Sequence, residues 1–225
     1  MKDPPHPMVA AAKTKPQPTH PRKANRQVRR KQLIEATISV LAERGQTGLK
    51  LQDVAEAAGL SYGLVNFHFE TKDKLLAETL SYMAAEYQAN WQEMVAAAGD
   101  EPAKQLNALI QADFHEKIFT RPRVLAWSTF WGEAQSRPHY QEQCGAKDTA
   151  YIRVMEGICA RVLAEGGQSL SAERAARVLR VTIEGVWLDF ITMDQPYSRR
   201  EALRTVYTCA MVLFPKHFDD KGLIR

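Results

Sequence analysis

With 225 residues, 45% of them hydrophobic, the chain can bury one large core or two smaller ones, which excludes disorder throughout. It has no run of about 18 apolar residues and no apolar segment ahead of a small-residue cleavage site near its start, so neither a membrane span nor a secretory signal is expected. The net charge of +4 is unevenly spread: residues 1–31 hold nine Lys and Arg against Asp3 alone, which suits either a polyanionic partner or a solvated tail.

Residues 1–25 carry six of the eleven prolines and few large apolar side chains, so a disordered basic arm is expected there. Helical periodicity begins at residue 26. Val28, Leu33, Ile34, Ile38 and Leu41 recur at helical spacing, and Gly45 offers a left-handed stop. A short second helix runs over 49–58 with Leu51, Val54, Ala55 and Ala58 inward, ended by Gly59. A third opens at Ser61, a natural N-cap, and reads SYGLVNFHF. A long fourth helix covers 72 to about 98.

Two short helices joined by AGLS form a helix-turn-helix, whose second helix enters the DNA major groove while the first crosses the backbone. The turn requires a small Ala55 where the helices cross, a Gly59 free to take positive φ, and a Leu60 that returns to the core. Beyond residue 98, five helices are expected over 102–119, 121–135, 138–166, 171–194 and 198–214. Their boundaries are marked by Pro102, Pro122, Pro138, Gly166-Gly167 and Pro196, with Ser171 and Ser198 as caps. Strand alternation is not evident, so the fold class is all-α with about nine helices. The domains are 26–72 and 73–215, followed by a tail over 216–225.

The run LQDVAEAAGLSYGLVNFHFETKDKLLAETL resembles the DNA-binding domain of TetR-type one-component repressors, in its small-residue turn, its aromatic-His-Phe ending and the following KxxLL. The resemblance implies a homodimer with N-terminal helix-turn-helix domains and a larger C-terminal domain for effector binding and dimerisation. It also implies that Tyr62, Gly63, Leu64 and Asn66 face base edges, and that Phe67, His68 and Lys72 touch phosphate. Asn66 suits adenine and Leu64 a thymine methyl, while Gly63 lets backbone approach DNA. Ser61 and Gln52 belong to the same surface. Lys50 stands where the family has a Ser or Thr cap, and is expected to reach a phosphate instead. Two alternatives stay open: Phe67 as a packing residue and His68 as a cap of the next helix.

Further on, LAWSTFWGEAQSRP and EGVWLDFITMD resemble the C-terminal domain of BetI-type repressors. That resemblance implies control of the choline to glycine betaine pathway with choline as effector. A trimethylammonium head is recognised by aromatic faces and a nearby carboxylate. Trp127, Phe130, Trp131 and Trp187 are the expected lining, with Asp189 as counter-charge among the acids Asp113, Glu133, Glu184, Asp189 and Asp194. Aromatic stripes at helical spacing also serve as plain core. The alternative effector is a hydrophobic drug or acyl compound, with efflux or lipid genes as targets.

In the last two helices Val178, Val181, Gly185 and Leu188, then Leu203, Val206, Ala210, Met211 and Phe214, form stripes. Gly185 points to a close helix contact, hence a dimer through these helices. An enzyme is disfavoured, because GxSxG, HExxH, P-loop and dinucleotide fingerprints are absent from the sequence. No cofactor and no metal are expected. Cys144, Cys159 and Cys209 are odd in number and outside any CxxC pair, and suit a reduced, cytoplasmic protein.

Overall fold

The structure, a computed structural model, describes residues 21–133, 138–194 and 198–224. Its helices are α1 (Pro21–Gly48), α2 (Leu51–Ala57), α3 (Tyr62–Phe69), α4 (Lys72–Ala97), α5 (Pro102–Asp113), α6 (Arg121–Glu133), α7 (Pro138–Gly166), α8 (Ala172–Thr192) and α9 (Arg199–Leu213). A two-stranded antiparallel hairpin, β1 (Phe218–Asp219) and β2 (Gly222–Leu223), follows. The architecture is all-α apart from this hairpin, and no described helix is long and apolar enough to cross a membrane.

The N-terminal unit is a three-helix core in which Leu33, Ile38 and Leu41 of α1 meet Val54 and Ala55 of α2 and Val65 and Phe69 of α3, all buried. Between α2 and α3 the chain reverses at Gly59 (φ +63°), a conformation that L side chains rarely adopt, and the Leu60 N–H donates to Ala55 O at 2.9 Å. Arg30 of α1 ties the unit together. Its guanidinium donates to the His68 carbonyl at 3.3 Å, lies 4.9 Å from the Phe69 ring centroid and pairs with Glu78 of α4.

The larger unit wraps α4, α5, α7 and α8 around an aromatic centre, with α6 spanning from that centre to α1. Arg123 of α6 makes this junction electrostatic, reaching Glu35 of α1 at 3.2 Å and Glu86 of α4 at 3.0 Å. The Tyr82 hydroxyl donates to the same Glu35 carboxylate at 2.9 Å.

Several sequence expectations are corrected. Helix α1 starts at Pro21, inside the stretch expected to be a disordered arm, with proline at a first-turn position where its missing N–H is harmless. Residues 1–20 lie outside the described residues, as do 134–137 and Pro196. Val28 is 62% exposed and belongs to no core. Helix α5 stops at Asp113, because the chain turns at Phe114 and the His115 carbonyl then accepts from the Ile118 and Phe119 N–H groups. Of the expected α9 stripe, Val206, Ala210 and Phe214 are buried in the chain's own core. The expected tail instead returns as the hairpin, seating Phe218 (1% exposed) against Tyr207 and Phe214. Gly222 (φ +128°) permits that turn, since a Cβ there would stand 3.3 Å from the Tyr207 ring.

Candidate functional site

The helix-turn-helix presents one outward surface. Lys50, Gln52, Ser61, Tyr62, Gly63, Asn66 and Phe67 are exposed and Leu64 is half-buried, while Val65 and Phe69 turn inward. A Cβ at Gly63 would meet nothing within 4 Å, so the bare backbone there faces open space. Phe67 is 66% exposed, with the Arg26 guanidinium 5.5 Å from its ring centroid, which removes it from the core. Gln52 donates to Glu56 at 3.1 Å.

Three of the expected residues are placed differently from the rest of this surface. Ser61 stands at the N-cap of α3 in extended conformation, but its hydroxyl makes no capping hydrogen bond. His68 is only 5% exposed. Its burial, and next the nearby Arg26 and Arg30, lower its pKa, and its side chain is turned inward rather than presented on the outer surface. Lys72 is half-buried and donates to the Gln46 carbonyl at 2.7 Å. The two side chains do not share a continuous helical face, because Glu70 (φ +60°) breaks the chain between α3 and α4 and Thr71 caps the new helix from Lys74 N–H at 3.1 Å. At α2, Lys50 occupies the N-cap position without a side-chain cap.

The second feature is a cavity of about 250 Å³ between α4, α5, α6, α7 and α8, lined by Tyr87, Asp113, Trp127, Trp131, Tyr151 and Trp187, with Asp148, Arg180 and Glu184 also bordering it. Its aromatic walls touch one another. Trp127 stacks on Trp131 at 6.2 Å, Trp131 lies 6.0 Å from Trp187, and Tyr87 stands edge-on to Trp127 and Trp187 at 6.4 Å.

Asp113, 1% exposed at the end of α5, is the buried acid of this cavity. The Tyr87 hydroxyl donates to its Oδ1, and the Tyr151 hydroxyl donates to its Oδ2 at 2.6 Å. Burial drives its pKa up to about 7, and the two phenols pull back against that shift. Neither a metal cluster nor a basic partner for Asp113 occurs among the described residues.

The cavity therefore holds Trp127, Trp131 and Trp187 of the expected set. Phe130 is buried but does not line it, and Asp189 is exposed and turned elsewhere on α8. Asp189 lies two residues past Trp187, on another face of the helix, and does not line this cavity. The Glu133 side chain lies outside the described residues. Tyr87, Tyr151, Asp148 and Arg180 were missed. Tyr87 and Trp91, spaced i, i+4 on α4, were the available signal for an aromatic face.

Residues 102–214 match the family model described as BetI-type transcriptional repressor, C-terminal, and residues 33–79 match that of the tetR family of bacterial regulatory proteins. The HTH-type transcriptional regulator BetI of Paraburkholderia xenovorans (strain LB400) is 31% identical over 186 residues, covering 82% of this chain and 93% of its own length. A transcriptional regulator from Pseudomonas aeruginosa PAO1 has a similar crystal structure, with a TM-score of 0.70 at 25% identity over 84% of this chain and 92% of its own. A Saccharomonospora viridis regulator, solved in complex with choline, shares the fold with a TM-score of 0.67 at 18% identity over 80% of this chain and 94% of its own. A helix-turn-helix with its reading face open, joined to a helical unit that matches the BetI-type model over its length, places this chain in the TetR family of transcriptional regulators, in the BetI-type branch, and not among enzymes.

Proposed function

We propose that the protein acts in the cytoplasm as a homodimeric repressor that holds a palindromic operator and releases it when choline or a related quaternary amine fills the cavity, as control of glycine betaine synthesis requires. The observation that carries this reading is the aromatic cavity around a buried carboxylate that has no basic partner among the described residues. A trimethylammonium head offers no hydrogen bond, and each aromatic face contributes about 0.5–2 kcal/mol to such a cation. An acyl chain gains nothing from a buried acid. The Saccharomonospora viridis regulator solved with choline supports the same assignment.

On the DNA side, α3 lies in the major groove, with Tyr62, Leu64 and Asn66 toward base edges and Gly63 allowing close backbone approach. Ser61, Gln52, Lys50 and Phe67 border that surface. Two such helices about 34 Å apart suit consecutive major grooves. Helix α6 joins the two functions, since it carries Trp127 and Trp131 at the cavity and Arg123 against α1. A ligand moves the equilibrium only by its preference for one state, so near-complete release needs about 5.5 kcal/mol of preference.

The test is a thermal-shift series with choline, betaine aldehyde, glycine betaine and an acyl-CoA, paired with an electrophoretic shift on promoter DNA. Choline-like amines stabilise the protein and free the DNA. Stabilisation by acyl-CoA alone would overturn the effector assignment and leave DNA binding standing. In the same shift assay Asn66→Ala weakens operator binding by about 1–3 kcal/mol, the discrimination of one bidentate base contact. An insensitive Asn66→Ala would overturn α3 as the reading helix.

A further inference from the structure

The buried carboxylate of the cavity is held by hydrogen-bond donors but not by charge. Tyr87 of α4 and Tyr151 of α7 each donate to one oxygen of Asp113, and no basic side chain among the described residues pairs with it. The other charged groups at the cavity are more open. Asp148 of α7 is exposed, and Arg180 and Glu184 of α8 pair with each other at partly exposed positions. Among the described residues, α6 contributes the neutral Trp127 and Trp131 to the cavity.

We propose that the cavity exchanges a proton for its effector: Asp113 carries the proton in the free protein and surrenders it to solvent when a quaternary ammonium enters. The inference rests on the reading of the cavity as a cation site. The step breaks the carboxyl O–H bond and transfers its proton to water; nothing is oxidised or reduced. In the ionised state both carboxylate oxygens accept from the two phenols. In the protonated state one oxygen becomes a donor, and one phenol must turn its hydroxyl.

The direction of the linkage follows from the burial of Asp113, which raises its pKa to about 7. Tyr87 and Tyr151 titrate far above this range and stay protonated. A quaternary ammonium brings a positive charge that cannot itself titrate, so it favours ionised Asp113 and lowers its pKa in the complex. Choline affinity therefore rises with pH up to about 7 and levels off above it. Asp148 is the competing source of the proton: although the residue is exposed overall, desolvation of its carboxyl group beside the cavity raises its pKa too, with Glu184 adding to the shift and Arg180 opposing it.

The test is calorimetric titration with choline from pH 5.5 to 8.5, repeated at pH 7 in phosphate and in Tris, whose protonation enthalpies differ. The expected result is roughly tenfold tighter binding at pH 8 than at pH 6, with about half a proton released per choline at pH 7. Asp113→Asn flattens the pH dependence, and Asp148→Asn keeps it. The wild-type buffer comparison decides the matter even if Asp113→Asn fails to fold. Choline binding with no proton release and no pH dependence overturns the inference while the cation site stands. A slope that survives in Asp113→Asn and vanishes in Asp148→Asn overturns it as well. No binding of choline at any pH overturns the cation site itself.

Discussion

Asp113 pays a desolvation cost whenever it is ionised, and that cost is written into the fold's response to pH. Its pKa rises from an ordinary 3.8 to about 7 on folding. Folding therefore favours the protonated form. The contribution to stability is fully present below pH 3.8 and erodes as pH rises to about 7. Asp113→Asn removes this dependence but also perturbs the hydrogen bonds to Tyr87 and Tyr151, so the informative quantity is the change with pH. Melting temperatures measured without ligand from pH 4 to 8 should shift steadily in favour of the variant relative to wild type, then run parallel. A constant gap across that range would mean that Asp113 is not the buried titrating group. The sequence offered Asp113 only as one of five acids. What singles it out is its two phenol partners, Tyr87 and Tyr151, from helices far apart in the chain, and periodicity within one helix does not encode that convergence. Asp189 lies only two residues past Trp187 in sequence, but residues two apart on a helix point in different directions.

Helices were largely legible because their ends are decided locally. Ser171 and Ser198 accept from the Arg174 and Glu201 N–H groups at 3.3 Å, as their positions before apolar periodic runs suggested. At α3 the same residue type does not cap. Substitution measures the difference: Ser171→Ala should cost about 1 kcal/mol in urea denaturation, and Ser61→Ala should cost clearly less. Equal costs would show that the Ser61 hydroxyl caps in solution. The overlong expectation for α5 arose because Phe114 and Ile118 keep an i, i+4 apolar spacing while the backbone has already left the helix. The hairpin was invisible for a different reason, since two-residue strands are too short for alternation to register. The junction between α6 and α1 was equally hidden, as it depends on Arg123 meeting Glu35 across the fold. With Arg123 mostly buried, Arg123→Ala should destabilise by about 1.5–3 kcal/mol in the same denaturation measurement, because it leaves Glu35 and Glu86 facing each other. A change under a few tenths would make the bridge a surface ornament.

One face of the molecule still lacks a neighbour among the described residues. On α8, Val178, Val181 and Leu188 are 40%, 52% and 54% exposed, and Gly185 lies among them with nothing within 4 Å of where its Cβ would be. A mid-helix glycine costs about 0.5–1 kcal/mol relative to alanine, and the chain's own packing gives no reason for it. We propose that a second copy supplies one: across a two-fold axis the same stripe would meet itself, and the missing Cβ would let two backbones approach. The exposed Val212 on α9, at 72%, extends the apolar surface to the adjoining helix, while most of the remaining α9 stripe is taken by the chain's own core. The interface that follows is centred on α8 and is narrower than an equal four-helix arrangement. Val181→Glu would place two carboxylates against each other at its centre while leaving the cavity and the reading helix untouched. Sedimentation should then report a monomer with unchanged helical content. Operator affinity should fall by roughly 100-fold or more, because linked half-site binding loses its second contact. A Val181→Glu protein that remains dimeric would move the interface off α8, and the open glycine would again have no explanation.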